Sequence, residues 1–256
     1  MKKLITAPLL DREEIGAGYH VLTFDAPDSP AAAPGQFLMM RATSWGDAPL
    51  LPRPMSYLSG GDKPQVLIKV IGEGTARMAT AQPGEEYSLL GPLGKTWPES
   101  TLGKTPILVA GGVGVAPLVF LARRFQAQGV QPVVLYGGRT DQDLPLSDLL
   151  DSIADLHVTT EDGSRGDKGR VTGPLMSMLN DSVEIFTCGP DRMMAAVATI
   201  AQERQVPCQA SLEAPMACGF GVCLGCPVMK TSGEYLYTCV DGPCVNAADI
   251  DWNADQ

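Results

Sequence analysis

The hydrophobic pattern of this chain changes its period near Thr105, and that change argues against one shared core. Before it, apolar residues come in the short runs GYHVLTFDAP, GQFLMMRA, PMSYLS and QVLIKVIG, rich in Val, Ile, Phe and Tyr and cut by Gly and Pro turns. Short antiparallel strands have this pattern. After it, the strand-like PILVA meets a Gly-rich turn and then APLVFLARRFQAQG, which has a helical period and a Gly stop. PVVLYGG, DLHVTTEDG and VEIFTCGP repeat the strand, while DLPLSDLLDSI, GPLMSMLN and DRMMAAVATIAQERQ repeat the helix. Strands alternating with helices predict a doubly wound parallel sheet. The 256 residues leave room for two domains and an appendage. The expected fold is therefore α+β and multidomain: an antiparallel β-barrel over 1–102, a parallel α/β sheet over 103–206 and a small subdomain over 207–256.

The last segment has no regular period but carries Cys218, Cys223, Cys226 and Cys239 in the spacing C-x4-C-x2-C followed by C-x12-C. Three thiols so close, with Gly219, Gly221 and Gly225 between them, suit a loop wrapped around a small inorganic core. The opening of the run is that of a plant-type 2Fe-2S loop. Structural zinc is the competing occupant, but it usually takes two C-x2-C knuckles, and only Cys223 and Cys226 make one. Disulfides fit poorly with seven cysteines and an N-terminus lacking the apolar core of a secretion signal. Cys244 is the alternative to Cys239 as fourth ligand.

A formal charge of −10 disfavours nucleic acid or an anionic membrane surface as partner. The longest apolar stretch, residues 107–122, is shorter than a bilayer span and is broken by Gly111, Gly112, Gly114 and Pro117. A cytoplasmic location is expected.

Other motifs point to nucleotides. Gly111, Gly112 and Gly114 lie where a parallel strand gives way to a helix, so backbone there can approach a pyrophosphate beside the helix N-terminus. Pro117 replaces the last Gly of the common dinucleotide fingerprint. In the barrel half, Arg53 can neutralise a diphosphate and Ser56 can hydrogen-bond a ring nitrogen. Gly72, Gly74 and Thr75 lead into a short helical stretch and form a second candidate phosphate cradle. Cys188, Gly189 and Pro190 end a sheet strand on the side where α/β folds bind ligands. His20 and His157 lack the partners of a catalytic triad, and the Met-rich segment after Pro190 reads as helix packing.

The order PGQF, R-P-x-S, G-x-G-T, GPLG, GGVGVAPL, YGGR, DGS, CGP and then a cysteine loop resembles the ferredoxin-NADP reductase superfamily along nearly the whole chain. More narrowly, SLEAPMACGFGVCLGC followed by YTCVDGP is similar to electron-transfer subunits of dihydroorotate dehydrogenase B. The resemblance implies a barrel holding FAD, a domain binding NAD as substrate, and a 2Fe-2S subdomain. That subdomain would face an FMN-containing dihydroorotate dehydrogenase catalytic subunit, in a heterotetramer serving pyrimidine biosynthesis. On this chain it assigns Arg53, Ser56, Gly72, Gly74 and Thr75 to FAD, with Pro54 shaping the strand, Lys69, Val70 and Ile71 to cofactor binding, and Gly112, Gly114, Gly189 and Pro190 to the dinucleotide. Ser56 and Cys188 would stand beside the reacting rings, and Cys218, Cys223, Cys226 and Cys239 would hold the cluster. Met55 stands where the superfamily often stacks an aromatic on the flavin. Related NAD(P)H reductases that serve ferredoxin, sulfide or another redox partner share these features. The choice between NAD and NADP stays open, because Arg139 has acids close by in sequence.

Overall fold

The computed structural model describes residues 1–100 and 103–254, so the boundary expected at 102 lies outside the described residues. Six antiparallel strands close a barrel in the order β1-β2-β5-β4-β3-β6. They are β1 (Lys3–Gly16), β2 (Tyr19–Phe24), β3 (Phe37–Ala42), β4 (Arg53–Ser59), β5 (Gln65–Lys69) and β6 (Glu86–Leu93), with helix α1 (Glu73–Met78) between the last two. Four of these strands match the short apolar runs. The other two, β1 and β6, escape the hydrophobic pattern. In β1 only Ala7 and Leu9 are buried, so alternation is faint. Its role is topological: residues 3–8 pair with β6, and residues 9–16 pair with β2. Such long-range pairing closes the barrel and removes its edges. Leu22, Phe24, Leu38, Met40, Tyr57, Val66 and Tyr87 fill the interior.

A seven-stranded sheet follows, ordered β10-β9-β8-β7-β11-β12-β15. Its strands are β7 (Thr105–Gly111), β8 (Val133–Gly138), β9 (Asp155–Thr160), β10 (Asp167–Lys168), β11 (Val183–Cys188), β12 (Cys208–Ser211) and β15 (Cys244–Asn246), alternating with α2 (Val115–Ala127), α3 (Ser147–Ile153), α4 (Thr172–Met178) and α5 (Asp191–Glu203). Every pairing is parallel except β12 with β15. The strand order runs outward from β7 in both directions, so the winding reverses between β7 and β11. That reversal opens a crevice at the carboxyl ends of the strands, where ligands bind in such sheets. Met194, Val197 and Ala201 turn one face of α5 into the core, as its Met-rich pattern predicts.

The parallel alternation runs through α5 to β12, and β15 then extends the same sheet antiparallel from beyond the cysteine loop. A hairpin of β13 (Pro227–Met229) and β14 (Tyr235–Tyr237) lies within that loop. Strands this short carry too few residues to establish a period, which is why the sequence pattern appears to stop near Pro207. The C-terminal segment is also tied to the barrel half: Lys95 N–H donates to the Gly242 carbonyl at 2.6 Å.

Gly35 sits at that junction with φ +95, and a β-carbon there would lie 2.5 Å from Cys244 Sγ and 2.8 Å from Trp97 N. Gly84 shares the positive φ, +90, but has nothing within 4 Å. Gly84→Ala is expected to cost about 1 kcal/mol of unfolding free energy, from backbone strain alone. Gly35→Ala adds overpacking and should cost a further ~1–3 kcal/mol. Urea unfolding of both variants checks this, and equal losses would refute the packing argument.

Candidate functional site

The two domains meet where α2 lies against β4. Phe120 of α2 packs beside Ala32 and Gly60, so the helix that begins at the Gly112–Gly114 turn rests on the strand carrying Arg53 and Ser56. Four weak sequence signals thus converge on one junction.

On the barrel side, β5 ends at Lys69 and the chain turns through Val70, Ile71 and Gly72 into α1. Gly74 is pressed against the Arg53 guanidinium; a β-carbon on it would lie 2.6 Å from Arg53 Nε. Removing that carbon lets the cation lie over the backbone of the turn, a cradle with the chemistry a diphosphate needs. Thr75 has a different task. Its hydroxyl accepts from Ile71 N–H at 3.0 Å and Gly72 N–H at 3.2 Å and donates to the Gly72 carbonyl at 3.0 Å. It therefore shapes the turn, and the hydrogen is committed within it. Ile71 is 83% exposed, an apolar side chain beside the cradle that a flat aromatic ligand would cover.

A cleft of about 670 Å³ opens at the strand-order reversal, lined by Gly111–Gly114, Gly137–Arg139, Gly189–Met193 and also by Tyr19 and Lys69 from the barrel. Gly114 lets the two glycine turns touch: a β-carbon there would lie 2.6 Å from the Cys188 carbonyl and from Gly189 N. Gly112, Gly114, Gly189 and Pro190 all face the cleft. Cys188 does not; it is buried and absent from the cleft lining. Burial, reinforced by Glu213, pushes its thiol well above the ordinary range. Its thiol is packed into protein away from the cleft lining, and its carbonyl lies against Gly114.

Several cleft residues carried no clear signal in the sequence. Lys69 was expected only as a cofactor-binding residue; its ammonium bonds Asp143 Oδ1 at 2.9 Å and lies 4.7 Å from the centroid of the Tyr19 ring. Arg139 Nε reaches Asp143 Oδ2 at 3.4 Å. Burial opposes both charges, but their mutual contact, with Tyr19 and Arg139, leaves Lys69 above and Asp143 below their usual values. Arg170, Arg192, Glu161, Asp191 and Glu213 complete the charged lining. These residues are far apart in sequence, and only the loops at the sheet's carboxyl end gather them.

The cysteine loop packs on the other side of the barrel. Cys226 and Cys239 are buried with Phe37, Met39 and Leu93 of β3 and β6, and a β-carbon on Gly219 would run into Met39 and Leu93. The four thiols fall in two pairs: the Cys226 and Cys239 sulfurs approach to 3.3 Å, and Cys218 Sγ accepts from Cys223 N–H at 3.4 Å and is also bonded by the Cys223 side chain. Among the described residues no three His, Cys, Asp or Glu side chains gather closely enough for a single metal ion. Two pairs of thiols match a binuclear core, in which each iron takes two protein ligands, better than one tetrahedral zinc. Burial works to raise the Cys218 thiol, but N–H groups of Cys223, Phe220 and Val222 outweigh it and bring the value to about 6. Cys239 is pushed up to about 12 by burial and by the Cys226 thiol. The Cys218 shift favours the thiolate that binds a cation, whereas the buried Cys239 gives up its proton only when a cation takes its place. Cys244 stands elsewhere, in the core near Trp97, with Sγ 3.7 Å from the Gly35 carbonyl.

Phe37 links these sites. It packs against Cys226 and Cys239 and is the register partner of Ser56 on β4. One strand pair therefore separates the cysteine loop from the R-P-x-S strand.

Comparisons with known proteins agree with this layout. The family profile for the iron-sulfur cluster binding domain of dihydroorotate dehydrogenase B matches residues 213–251, and that for the oxidoreductase NAD-binding domain matches residues 108–199. The dihydroorotate dehydrogenase B (NAD(+)) electron transfer subunit of Caldanaerobacter subterraneus is 34% identical over 98% of this chain and 99% of its own. The probable subunit of the same name from Methanopyrus kandleri is 38% identical over 82% and 78%. Among solved structures, an NADH-dependent reduced ferredoxin-NADP oxidoreductase studied for flavin-based electron bifurcation superimposes with a TM-score of 0.86 at 27% identity, over 96% of this chain and 90% of that one. The ferredoxin reductase of carbazole 1,9a-dioxygenase shares the fold, with a TM-score of 0.69 at 19% identity over 80% and 67%. With a flavin-type barrel, a nucleotide cleft and paired thiols in one continuous layout, this chain belongs to the family of dihydroorotate dehydrogenase B electron transfer subunits.

Proposed function

We propose that the chain carries electrons from a dihydroorotate-oxidising partner to NAD+, receiving them at a 2Fe-2S cluster and delivering them from FAD. The register pair Phe37–Ser56 carries this reading, because it sets the cluster loop and the flavin strand on adjacent strands. Bound FAD supplies the exchange between single electrons and hydride. The chain's own residues hold and orient. Arg53 neutralises the flavin diphosphate over the Gly72–Gly74 turn, Thr75 keeps that turn in shape, and Pro54 stiffens the strand between Arg53 and Ser56. Val70 and Ile71 give apolar cover, while the Ser56 hydroxyl donates toward the flavin ring. Gly112, Gly114, Gly189 and Pro190 let the dinucleotide backbone lie close to the sheet, where proximity does most of the catalytic work. Cys218, Cys223, Cys226 and Cys239 would hold the cluster, which would supply one-electron transfer.

A partner subunit covers the cluster loop. Val222 is 72% and Leu224 53% exposed, with Phe220 and Val240 also open beside them, an apolar rim of the kind that marks an interaction surface. The partner is an FMN-containing catalytic subunit, and the assembly is a heterotetramer. No helix among the described residues is long and apolar enough to cross a membrane. The seven free cysteines suit the reducing cytoplasm. A second reading, an NAD(P)H reductase that serves ferredoxin or sulfide, is favoured by the 27% identity to the ferredoxin-NADP oxidoreductase structure.

Anaerobic co-purification with its partner, followed by a dihydroorotate-dependent NAD+ reduction assay, separates the two readings. Turnover supports the first; no turnover, with ferredoxin or polysulfide reduced instead, supports the second. For the ligands, Cys239→Ser should abolish the 2Fe-2S absorption and electron paramagnetic resonance signals, whereas Cys244→Ser should retain both. The reverse pattern would reassign the fourth ligand. Ser56→Ala should keep FAD bound while slowing hydride exchange with NADH by about tenfold, the effect of losing one hydrogen bond worth ~1.4 kcal/mol. An unchanged stopped-flow rate would remove Ser56 from the reaction.

A further inference from the structure

The ion pair between Lys69 and Asp143 joins two domains across the nucleotide cleft, and nothing in the hydride-transfer reading uses it. Lys69 ends β5 of the barrel; Asp143 belongs to the single 3₁₀ turn, Asp141–Asp143, that follows β8. The pair is half-sheltered, the side chains being 28% and 14% exposed, so the ammonium is partly stripped of water and needs an anion. Its position is held from below. Tyr19 is buried under it, the Tyr19 hydroxyl has no hydrogen-bond partner among the described residues, and that hydroxyl would lie 3.6 Å from a β-carbon on Gly112. Lys69 therefore stands beside the glycine turn at which backbone can approach a diphosphate.

We propose that Lys69 grips the dinucleotide diphosphate from the barrel side, and that Asp143 is the internal anion which the diphosphate displaces. This rests on the nicotinamide-dinucleotide reading of the cleft. Two anions compete for one ammonium, so nucleotide entry exchanges a carboxylate for a phosphate at Lys69 and uncouples the Asp141–Asp143 turn from the barrel. The diphosphate as a whole carries more charge and more non-bridging oxygens, spread over its two phosphoryl groups, than a single carboxylate, which allows the exchange to run toward the ligand. Arg139, at 76% exposed, keeps the released Asp143 paired.

The test measures equilibrium binding of ADP-ribose, which carries the diphosphate without the nicotinamide, to the purified holoprotein by calorimetry, with adenosine as the control lacking phosphate. Lys69→Met should weaken ADP-ribose binding by about tenfold or more, the loss of one charge-assisted hydrogen bond. Lys69→Arg should restore most of it. Asp143→Asn removes the competitor and should tighten binding by about three- to fivefold, a range set by a partly screened ion pair. The double variant should match Lys69→Met. Adenosine affinity should not move in any of them. Weaker ADP-ribose binding in Asp143→Asn would make Asp143 a ligand contact and overturn the exchange; tightening that survives in the double variant would assign it to Arg139 and overturn Lys69. A wild-type holoprotein that binds no ADP-ribose overturns the cleft reading and this proposal together, whereas normal wild-type binding with unmoved variants overturns this proposal alone.

Discussion

The antiparallel pair of β3 and β4 is the interaction on which the rest of the molecule depends. The cysteine loop packs on the outer face of the pair through Phe37 and Met39 of β3, and α2, with the glycine turn at its start, packs on that outer face through Leu58 of β4. An iron-sulfur loop and a nucleotide sheet can serve one flavin only if both pack against the same small barrel. Close packing makes the arrangement rigid, since a core at crystal-like density tolerates little displacement.

That geometry explains why side chains with strong acid-base chemistry are sparse at the junction. The work is placement: glycines where backbones must touch, apolar residues where a ring or a partner must lie, and cations where phosphate must be held. The buried thiols follow the same division. Cys188, Cys208 and Cys244 are pushed up by burial and behave as small apolar residues. Cys218, bonded by backbone N–H groups, is drawn the opposite way.

Much of the fold was legible because it is locally encoded. Helices α2 and α5 and strands β7, β8 and β11 announce themselves by period, and the Gly111–Gly114 turn by composition. Strand β1 was not legible, because its stability comes from pairing with β2 and β6 rather than from an apolar face of its own. The same holds for β12 and β15, three or four residues each, whose place in the large sheet depends on partners brought from across the cysteine loop. Of the candidate site, the motifs could be named but their companions could not. Nothing in the sequence near Lys69 points to Asp143, and nothing near Cys188 tells that its thiol is packed into protein while Gly189 and Pro190 line the cleft.

What the sequence by itself determined was the inventory: a barrel half and an alternating half, two glycine turns, an R-P-x-S strand, and thiols spaced for a small inorganic core. These depend on residue type and short spacing, which one-dimensional pattern preserves. Tertiary structure alone decided the adjacency: that Phe37 stands between Ser56 and the Cys226–Cys239 pair, that Lys69 crosses from the barrel to the nucleotide cleft, and that Cys244 belongs to the core. Adjacency of this kind comes from burying distant apolar surfaces together, and the energy of that burial carries no record of sequence distance.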